Sequence, residues 1–169
     1  MGFHLFDRKH LQGTDFSLID MHAAGVHPDF QGGKVMQRSR EALLRLENPD
    51  IAYGSTIHPA IYKSYQHLAE DLGYIFYPTS ANTPSSVVEF VRYVLRSTNG
   101  EKSAATLDRL FVKRNHLPIP VQGFPVPYIG DRFFENGLLL NPTDGVALLL
   151  VKPEVAQLFE GPSRQRRRQ

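Results

Sequence analysis

The sequence predicts a mixed α/β fold, because segments with strand-like alternation are followed by segments with helical periodicity. Residues 16–26 alternate side chains as a mostly buried strand does, and residues 34–47 repeat apolar side chains at helical spacing. The same succession recurs over residues 51–57 and 59–72. A chain of 169 residues suits one domain with a substantial core. We therefore expect one compact α/β domain over residues 1–160, followed by a flexible tail.

The composition excludes several classes of protein. The chain has no cysteine, which rules out disulfide frameworks, zinc sites with thiolate ligands and a cysteine nucleophile. No apolar run approaches the ~20 residues that a membrane-spanning helix needs. The N-terminus also lacks the apolar core of a secretory signal. We expect a cytoplasmic protein with no membrane partner.

The positive charge is concentrated at the C-terminal end. The net charge is +2, but four of the 19 basic residues are arginines within residues 164–168. Without those four, 15 basic residues face 17 acidic ones, so the rest of the chain carries a net charge of −2. Nucleic acid is therefore expected as a partner only through the tail, residues 161–169. Such a tail is also common as a merely solvated end.

The first half of the chain divides into a hairpin and two strand–helix units. Residues 2–7 are predicted to pair with the strand of residues 16–26 through a turn at residues 12–15. On the second strand, Asp20 and His22 should point to one side, opposite Ile19 and Met21.

The helix predicted over residues 34–47 should bury Val35, Ala42, Leu43 and Leu46. Glu41 and Arg45 form a favourable pair on its exposed side. The dipeptide of Asn48 and Pro49 ends it.

The second unit has a strand over residues 51–57 and a helix that starts at Pro59. That helix should end before Gly73, and a short strand over residues 74–77 should return to the sheet.

The second half of the chain contains more prolines and fewer periodic segments. A helix is predicted from residue 83 to Asn99, with a packing stripe formed by Val87, Val88, Val91, Val94 and Leu95. A second helix is predicted over residues 103–115, and an extended segment with four prolines over residues 117–128. Residues 137–141 and 146–151 are predicted to form a hairpin.

A glycine turn joins the strand of residues 16–26 to the helix that follows. The first amides of a helix lack internal partners and carry the positive end of its dipole, and glycines allow a phosphate to approach them. The turn at Gly32 and Gly33 is therefore a candidate anion site. A pair of glycines by itself more often forms only a plain tight turn.

Residues 26–32 read VHPDFQG and lead into the predicted helix. This succession resembles the central motif of the GCN5-related N-acetyltransferase (GNAT) family. In that family a strand ends in V-x-P, and a Q/R-x-x-G-x-G/A turn binds the pyrophosphate of acetyl-CoA on the next helix. The following strand and the helix that closes at Gly73 are also similar, so the resemblance covers residues 1–77. It implies a GNAT-like mixed sheet flanked by helices, which lacks the family's N-terminal strands and helices.

The resemblance also implies acetyl-CoA as co-substrate and a set of residues that would contact it. In relatives the central strand splays from its neighbour and aligns the pantetheine arm. The implied contacts are with Ala24, Gly25, Val26, Gln31, Gly32, Gly33, Lys34, Val35 and Met36. Two positions depart from the pattern, because the family has glycine where this chain has Lys34 and Met36.

The implied reaction is direct attack of an amine on the acetyl carbonyl, and Asp20 with His22 is the candidate base. A carboxylate beside an imidazole can remove the amine proton. The simpler interpretation, which we favour, is that both are polar residues on a half-open strand face. His58 is a third candidate base. The family's tyrosine acid is replaced by Ala69, so we expect any transfer to be independent of a tyrosine.

The sequence therefore predicts an acetyl-CoA-dependent N-acetyltransferase with an unidentified amine acceptor and no metal. Two alternatives stay open: a catalytically inactive binding or assembly module of the same fold, and a protein that binds RNA or a partner through its arginine tail. A homodimer is an open alternative for its assembly.

Overall fold

The computed structural model describes residues 2–27, 29, 34–56, 59–77, 85–99, 112–113 and 145–160, and it confirms a mixed α/β fold. The strands of these residues are β1 (Gly2–His10), β2 (Ser17–Val26), β3 (Ile51–Thr56), β4 (Ile75–Tyr77), β5 (Val112–Lys113) and β6 (Gly145–Val151). The helices are α1 (Val35–Glu47), α2 (Pro59–Leu72), α3 (Ser85–Asn99) and α4 (Pro153–Glu160).

The strands form one mixed sheet in the order β1-β2-β3-β6-β4, with β5 also paired to β6. β1 and β2 are an antiparallel hairpin, β2 and β3 are parallel, and β6 runs antiparallel between β3 and β4. The strands β2, β3 and β4 therefore point in one direction. Because parallel strands need a long connection, α1 and α2 are the crossovers that join them.

Helices cover both faces of the sheet. On one face, the Tyr65 hydroxyl of α2 lies 3.5 Å from the Met21 sulfur of β2, and α1 packs beside α2. On the other face, Lys9 Nζ contacts both Asp20 of β2 and the carbonyl oxygen of Thr98 in α3, and α4 packs beside α3. We call these the α1/α2 face and the α3/α4 face.

α1 turns a different side to the sheet from the one that its apolar residues predict. Leu43 is buried as predicted, but the prediction was wrong for Val35, Ala42 and Leu46, which are exposed. The buried stripe consists of Arg40, Leu43 and Leu44. In this orientation of α1, Arg40 packs over the ring of Tyr65 in α2. An arginine therefore occupies a buried position of the helix.

β6 lies at the centre of the core. Residues 147–151 are fully buried, because β6 has strands on both edges and helices on both faces. Asp50, just before β3, ties the ends of three strands together. Its carboxylate accepts 2.8 Å hydrogen bonds from the N–H and hydroxyl of Ser17, the first residue of β2, and lies 3.0 Å from Lys152 Nζ after β6. Burial alone raises the pKa of Asp50, but the hydrogen bonds from Ser17 and Lys152 outweigh it and lower that pKa.

The predicted ends of α1 and α2 are confirmed. Asn48 adopts a left-handed conformation with φ 44°, and its N–H donates to the Leu44 carbonyl oxygen at 2.9 Å. Gly73 has φ 76°, and the N–H of Tyr74 donates to the Ala69 carbonyl oxygen at 2.8 Å. The second arrangement is a Schellman motif, which glycine favours because it has no Cβ.

Other predicted elements have mixed outcomes. β1 extends to His10, beyond the predicted residues 2–7, and the buried stripe of α3 is confirmed. The helix predicted over residues 103–115 is wrong at residues 112–113, which pair with β6, because sheet pairing overrides a weak helical preference. The rest of that helix, the segments 117–128 and 137–141, and the tail at 161–169 lie outside the described residues.

Candidate functional site

β2 and β3 separate beyond the middle of β2. The parallel ladder joins Leu18, Ile19 and Asp20 to Ile51, Ala52 and Tyr53. Within the described residues this ladder has no further pairs, although β2 continues to Val26 and β3 to Thr56. We call the region where residues 21–26 of β2 and 54–56 of β3 no longer pair with each other the strand cleft. It lies toward the carboxyl ends of two parallel strands, where α/β proteins commonly bind ligands.

A β-bulge lies beside the strand cleft. In the β1–β2 hairpin, Leu5 pairs with Ala23 and Phe6 pairs with Met21, so His22 is the extra residue on β2. An extra residue bends its strand and re-aims its side chain. β2 therefore bends at the residues where its ladder with β3 stops.

Four ionisable side chains meet at this bulge, and we call them the bulge cluster. They are Asp7 and Lys9 from β1 and Asp20 and His22 from β2. His22 Nε2 lies 2.9 Å from an Asp7 oxygen and 3.8 Å from an Asp20 oxygen. Lys9 Nζ lies 3.0 Å from Asp20 and 3.6 Å from Asp7. These contacts confirm that Asp20 and His22 lie on one side of β2.

The two predicted catalytic residues differ in their access to solvent. The Asp20 side chain is 2% exposed and is held by Lys9, whereas the His22 side chain is 41% exposed. Asp20 also adds to the effect of burial in raising the pKa of Tyr53 on the neighbouring strand. His22 can therefore reach a bound molecule, and Asp20 acts on the site through its charge.

The hydrogen bond with Asp7 determines the tautomer of His22. The hydrogen bond with His22 lowers the pKa of the Asp7 carboxyl, which is therefore ionised at neutral pH. An ionised carboxylate can only accept a hydrogen bond, so Nε2 of His22 carries the hydrogen in this pair. In the neutral imidazole Nδ1 is then left as the acceptor.

A buried cation of α1, Arg40, lies on the α1/α2 face of the sheet. Arg40 is 7% exposed, and its guanidinium carbon lies 4.6 Å from the centroid of the Tyr65 ring. Nearby, burial and the charge of Arg40 lower the pKa of His4. His4 is half-buried because β1 pairs it with Ala24 and turns it toward α1.

The predicted coenzyme-binding residues lie in three places. Ala24, Gly25 and Val26 form the end of β2 along the strand cleft, and Val35 and Met36 open α1 behind Lys34. Gln31, Gly32 and Gly33 lie outside the described residues.

Two of these positions show why their backbone conformation matters. A Cβ atom at Gly25 would lie 2.6 Å from a ring carbon of Phe3, so only glycine fits there without a shift of that ring. Lys34 has φ 57° and ψ 14°, a left-handed conformation that favours glycine.

Tyr65 lies next to the strand cleft on the α1/α2 face. At the position where the GNAT family has a tyrosine, this chain has Ala69. Ala69 is fully buried. The Tyr65 hydroxyl contacts Met21, and a Cβ atom built on Gly54 would lie 3.6 Å from it. Burial raises the pKa of Tyr65, so this hydroxyl keeps its proton at neutral pH. Tyr65 is therefore a proton-bearing group beside the cleft.

The sequence patterns did not indicate Asp7, Lys9 or Arg40 as site residues. Asp7 and Lys9 lie on one side of β1 by strand alternation, and the register of the hairpin brings them beside Asp20. That register contains a bulge, for which the sequence has no clear signal. Arg40 looks like a polar surface residue of a helix, and only its packing against Tyr65 distinguishes it.

Other features of the described residues do not add a second site. A hollow of about 180 Å³ lies at the opposite end of β2, lined by residues that include His10, Ser17 and Pro49. Of the bulge cluster, Lys9 lines it, whereas Asp7, Asp20 and His22 do not. In the described segments, no group of three or more histidine, aspartate or glutamate residues could hold a metal ion. None of the helices described above is long and apolar enough to cross a bilayer.

Comparisons with known proteins give no relative from which a function could be transferred. No protein-family model, no curated protein and no solved structure matches this chain.

Proposed function

We propose that this chain is a GNAT-like protein that transfers the acetyl group of acetyl-CoA to an amine. The observation that carries the proposal is the strand cleft, where the ladder between two parallel strands ends after Asp20 and Tyr53. Backbone groups freed from a ladder need new partners, and an extended amide-bearing chain such as pantetheine can supply them. The cleft therefore suits the acyl-donor arm of the coenzyme.

Four further features support this proposal. The hairpin of β1 and β2 precedes the cleft, as the resemblance implies, and the bulge at His22 bends β2 at the cleft. The backbone at Lys34 adopts a conformation that favours glycine, which is the residue that the GNAT family has at that position. The start of α1 also offers amides that suit the pyrophosphate.

In the proposed reaction, the lone pair of the amine nitrogen attacks the acetyl carbonyl carbon of acetyl-CoA. The carbon–sulfur bond then breaks, and the coenzyme leaves as a thiolate. Nδ1 of His22 accepts the proton that the amine loses, while Asp7 holds the imidazole through Nε2. The buried Asp20 carboxylate favours the imidazolium that forms. The protein contributes positioning and proton removal.

The leaving group needs less help than the amine. A thiolate with a free-thiol pKa near ~8.5, by analogy with cysteine, departs without full protonation. Our prediction therefore remains that transfer does not depend on a tyrosine. Because Tyr65 lies beside the cleft, Tyr65→Phe tests that prediction directly.

A second function, a non-catalytic binding module of the same fold, is favoured by specific departures. Ala69 cannot donate a proton, and Lys34 places a side chain where the family has glycine. Under this alternative the strand cleft still binds the coenzyme, but no thiol is released.

The first experiment measures binding. Thermal unfolding of the purified chain is followed with and without acetyl-CoA. At one hundred times its dissociation constant, the ligand should stabilise the fold by roughly 2.7 kcal/mol. A midpoint that does not move at millimolar acetyl-CoA would refute both the transferase and the coenzyme-binding module.

The second experiment measures catalysis. Free thiol is followed with acetyl-CoA and a panel of amines over a range of pH. His22→Ala should lower the rate by about 10²-fold or more, and Asp7→Asn should cause a smaller loss. His10→Ala is the matched control, because His10 is an exposed histidine of the same hairpin. A His22→Ala rate equal to that of the control would exclude His22 as the base. Coenzyme binding without thiol release would favour the non-catalytic module.

A further inference from the structure

Two buried polar atoms on the α1/α2 face lack partners. Within the described residues, Arg40 Nε and His4 Nδ1 are both buried, and neither makes a hydrogen bond. The ion pairs of the described residues do not include Arg40 either. The guanidinium lies 4.6 Å from the centroid of the Tyr65 ring and shares a side-chain hydrogen bond with Tyr65, which is neutral. Among the described residues, a guanidinium that is more than nine-tenths buried therefore has no counter-charge.

The position of Arg40 links the two parts of the proposed site. Its ring neighbour Tyr65 places a hydroxyl beside Met21 and Gly54, which border the strand cleft. His4 pairs with Ala24, which lies further along the same cleft. Arg40 also belongs to the first half of α1, and side chains of a helix lean toward its N-terminus. Arg40 therefore lies beside two residues that border the cleft, and its side chain leans toward the end of α1 that carries the first amides.

An unpaired buried charge is unfavourable, because desolvation is not repaid by a partner. The contacts of Arg40 with the Tyr65 ring and hydroxyl are with a neutral side chain and do not neutralise its charge. A charge kept under such conditions is explained if a ligand completes the pair. A guanidinium matches the oxygens of a phosphate in a two-pronged geometry and is weakly hydrated, which suits a partly buried anion site.

We propose that Arg40, with His4 beside it, binds a phosphate group of the ligand that occupies the strand cleft. This inference rests on the proposed function, in which the pyrophosphate of acetyl-CoA reaches the start of α1. Arg40 supplies the charge, and the first amides of α1 supply further donors. The two described groups that face Arg40 with a titratable atom are His4 from β1 and Tyr65 from α2.

The test uses thermal unfolding in buffer without phosphate, with sodium pyrophosphate or sodium acetate added at equal ionic strength. Pyrophosphate at saturating concentration should raise the midpoint by about 5–10 °C, and acetate should not. Arg40→Met should lose this shift and unfold, without anions, at the same temperature as the parent chain or higher. Arg38→Met is the matched control, because Arg38 is an exposed arginine of the same helix, and it should keep the shift.

Several results would overturn the inference. An anion-free midpoint of Arg40→Met several degrees below that of the parent chain would show that Arg40 is structural. An equal pyrophosphate shift in Arg40→Met and in the parent chain would place the anion elsewhere, and no shift in the parent chain would remove the site. Acetyl-CoA bound equally well by both chains would leave the proposed function in place without Arg40. A shift that depends on Arg40 but no binding of acetyl-CoA would support the phosphate site and refute the proposed function.

Discussion

Replacing Lys34 by glycine should stabilise the protein, although the residue caps a helix. Lys34 has φ 57° and makes no side-chain capping hydrogen bond. A residue with a Cβ atom in this left-handed region is disfavoured by roughly 1–2 kcal/mol. Glycine is free of that cost. However, its additional conformational entropy in the unfolded chain lowers the stability of the fold by about 0.5–1 kcal/mol. The net gain for Lys34→Gly should therefore be about 0.5–1 kcal/mol.

The control is Arg38→Gly in the same helix. Arg38 is also an exposed, positively charged residue, but it lies inside α1, where glycine costs about 1 kcal/mol relative to a good helix former. Both variants remove one positive charge and add one glycine, so changes in net charge cancel between them. The sign of the stability change then depends on the backbone conformation alone.

The assay is equilibrium unfolding in urea, supported by thermal midpoints. For a chain of this length, 1 kcal/mol corresponds to about 2–4 °C. Lys34→Gly should therefore unfold about 1–4 °C higher than the parent chain, and Arg38→Gly about 2–4 °C lower. If Lys34→Gly is destabilised as much as Arg38→Gly, the left-handed turn before α1 is not the native conformation.

Three further predictions concern packing, a helix end and pH. Leu43→Ala should cost ~2–5 kcal/mol in urea unfolding because its side chain is buried, whereas Leu46→Ala, 80% exposed, should change stability by less than about 0.5 kcal/mol. Gly73→Ala should cost about 1 kcal/mol, since φ is 76° there although no atom lies near the new Cβ; an unchanged midpoint would contradict the Schellman end of α2. Because the pKa of His4 is lowered from 6.5, the unfolded chain binds its proton more readily, so stability should fall as the pH drops below about 6.5. His4→Asn should lessen that fall between pH 7.5 and 5.5, and an identical fall would exclude His4 as its source.

Local signals predicted the elements of the first half of the chain well. Asn48 and Gly73 end their helices because their conformational preferences act within a few residues. The burial of Arg40 could not be predicted in this way. It depends on an aromatic ring from another helix, and a periodicity of apolar residues does not count an arginine as a core residue. β5 was missed for a related reason, because its conformation is fixed by pairing with β6.

The bulge cluster was predicted in part. Strand alternation was enough to place Asp20 and His22 on one side of β2, and the structure brings their side chains to 3.8 Å. The closer partner of His22 is Asp7, at 2.9 Å. That contact depends on the hairpin register and on one inserted residue, and both are set by long-range pairing. The sequence could therefore suggest a histidine and a carboxylate, but not which carboxylate.

The position of β6 has a consequence for how the chain folds. β6 lies between β3 and β4, but it follows both of them in sequence. Until residues 145–151 dock, β3 lacks its partner on that side, and β4 has no described strand with which to pair. Closing the long loop between β4 and β6 is slow. Until it is closed, the unpaired edges of the strands promote aggregation. Folding on the ribosome therefore cannot complete this sheet until residues 145–151 have emerged, and the nascent chain is most vulnerable to aggregation before that point.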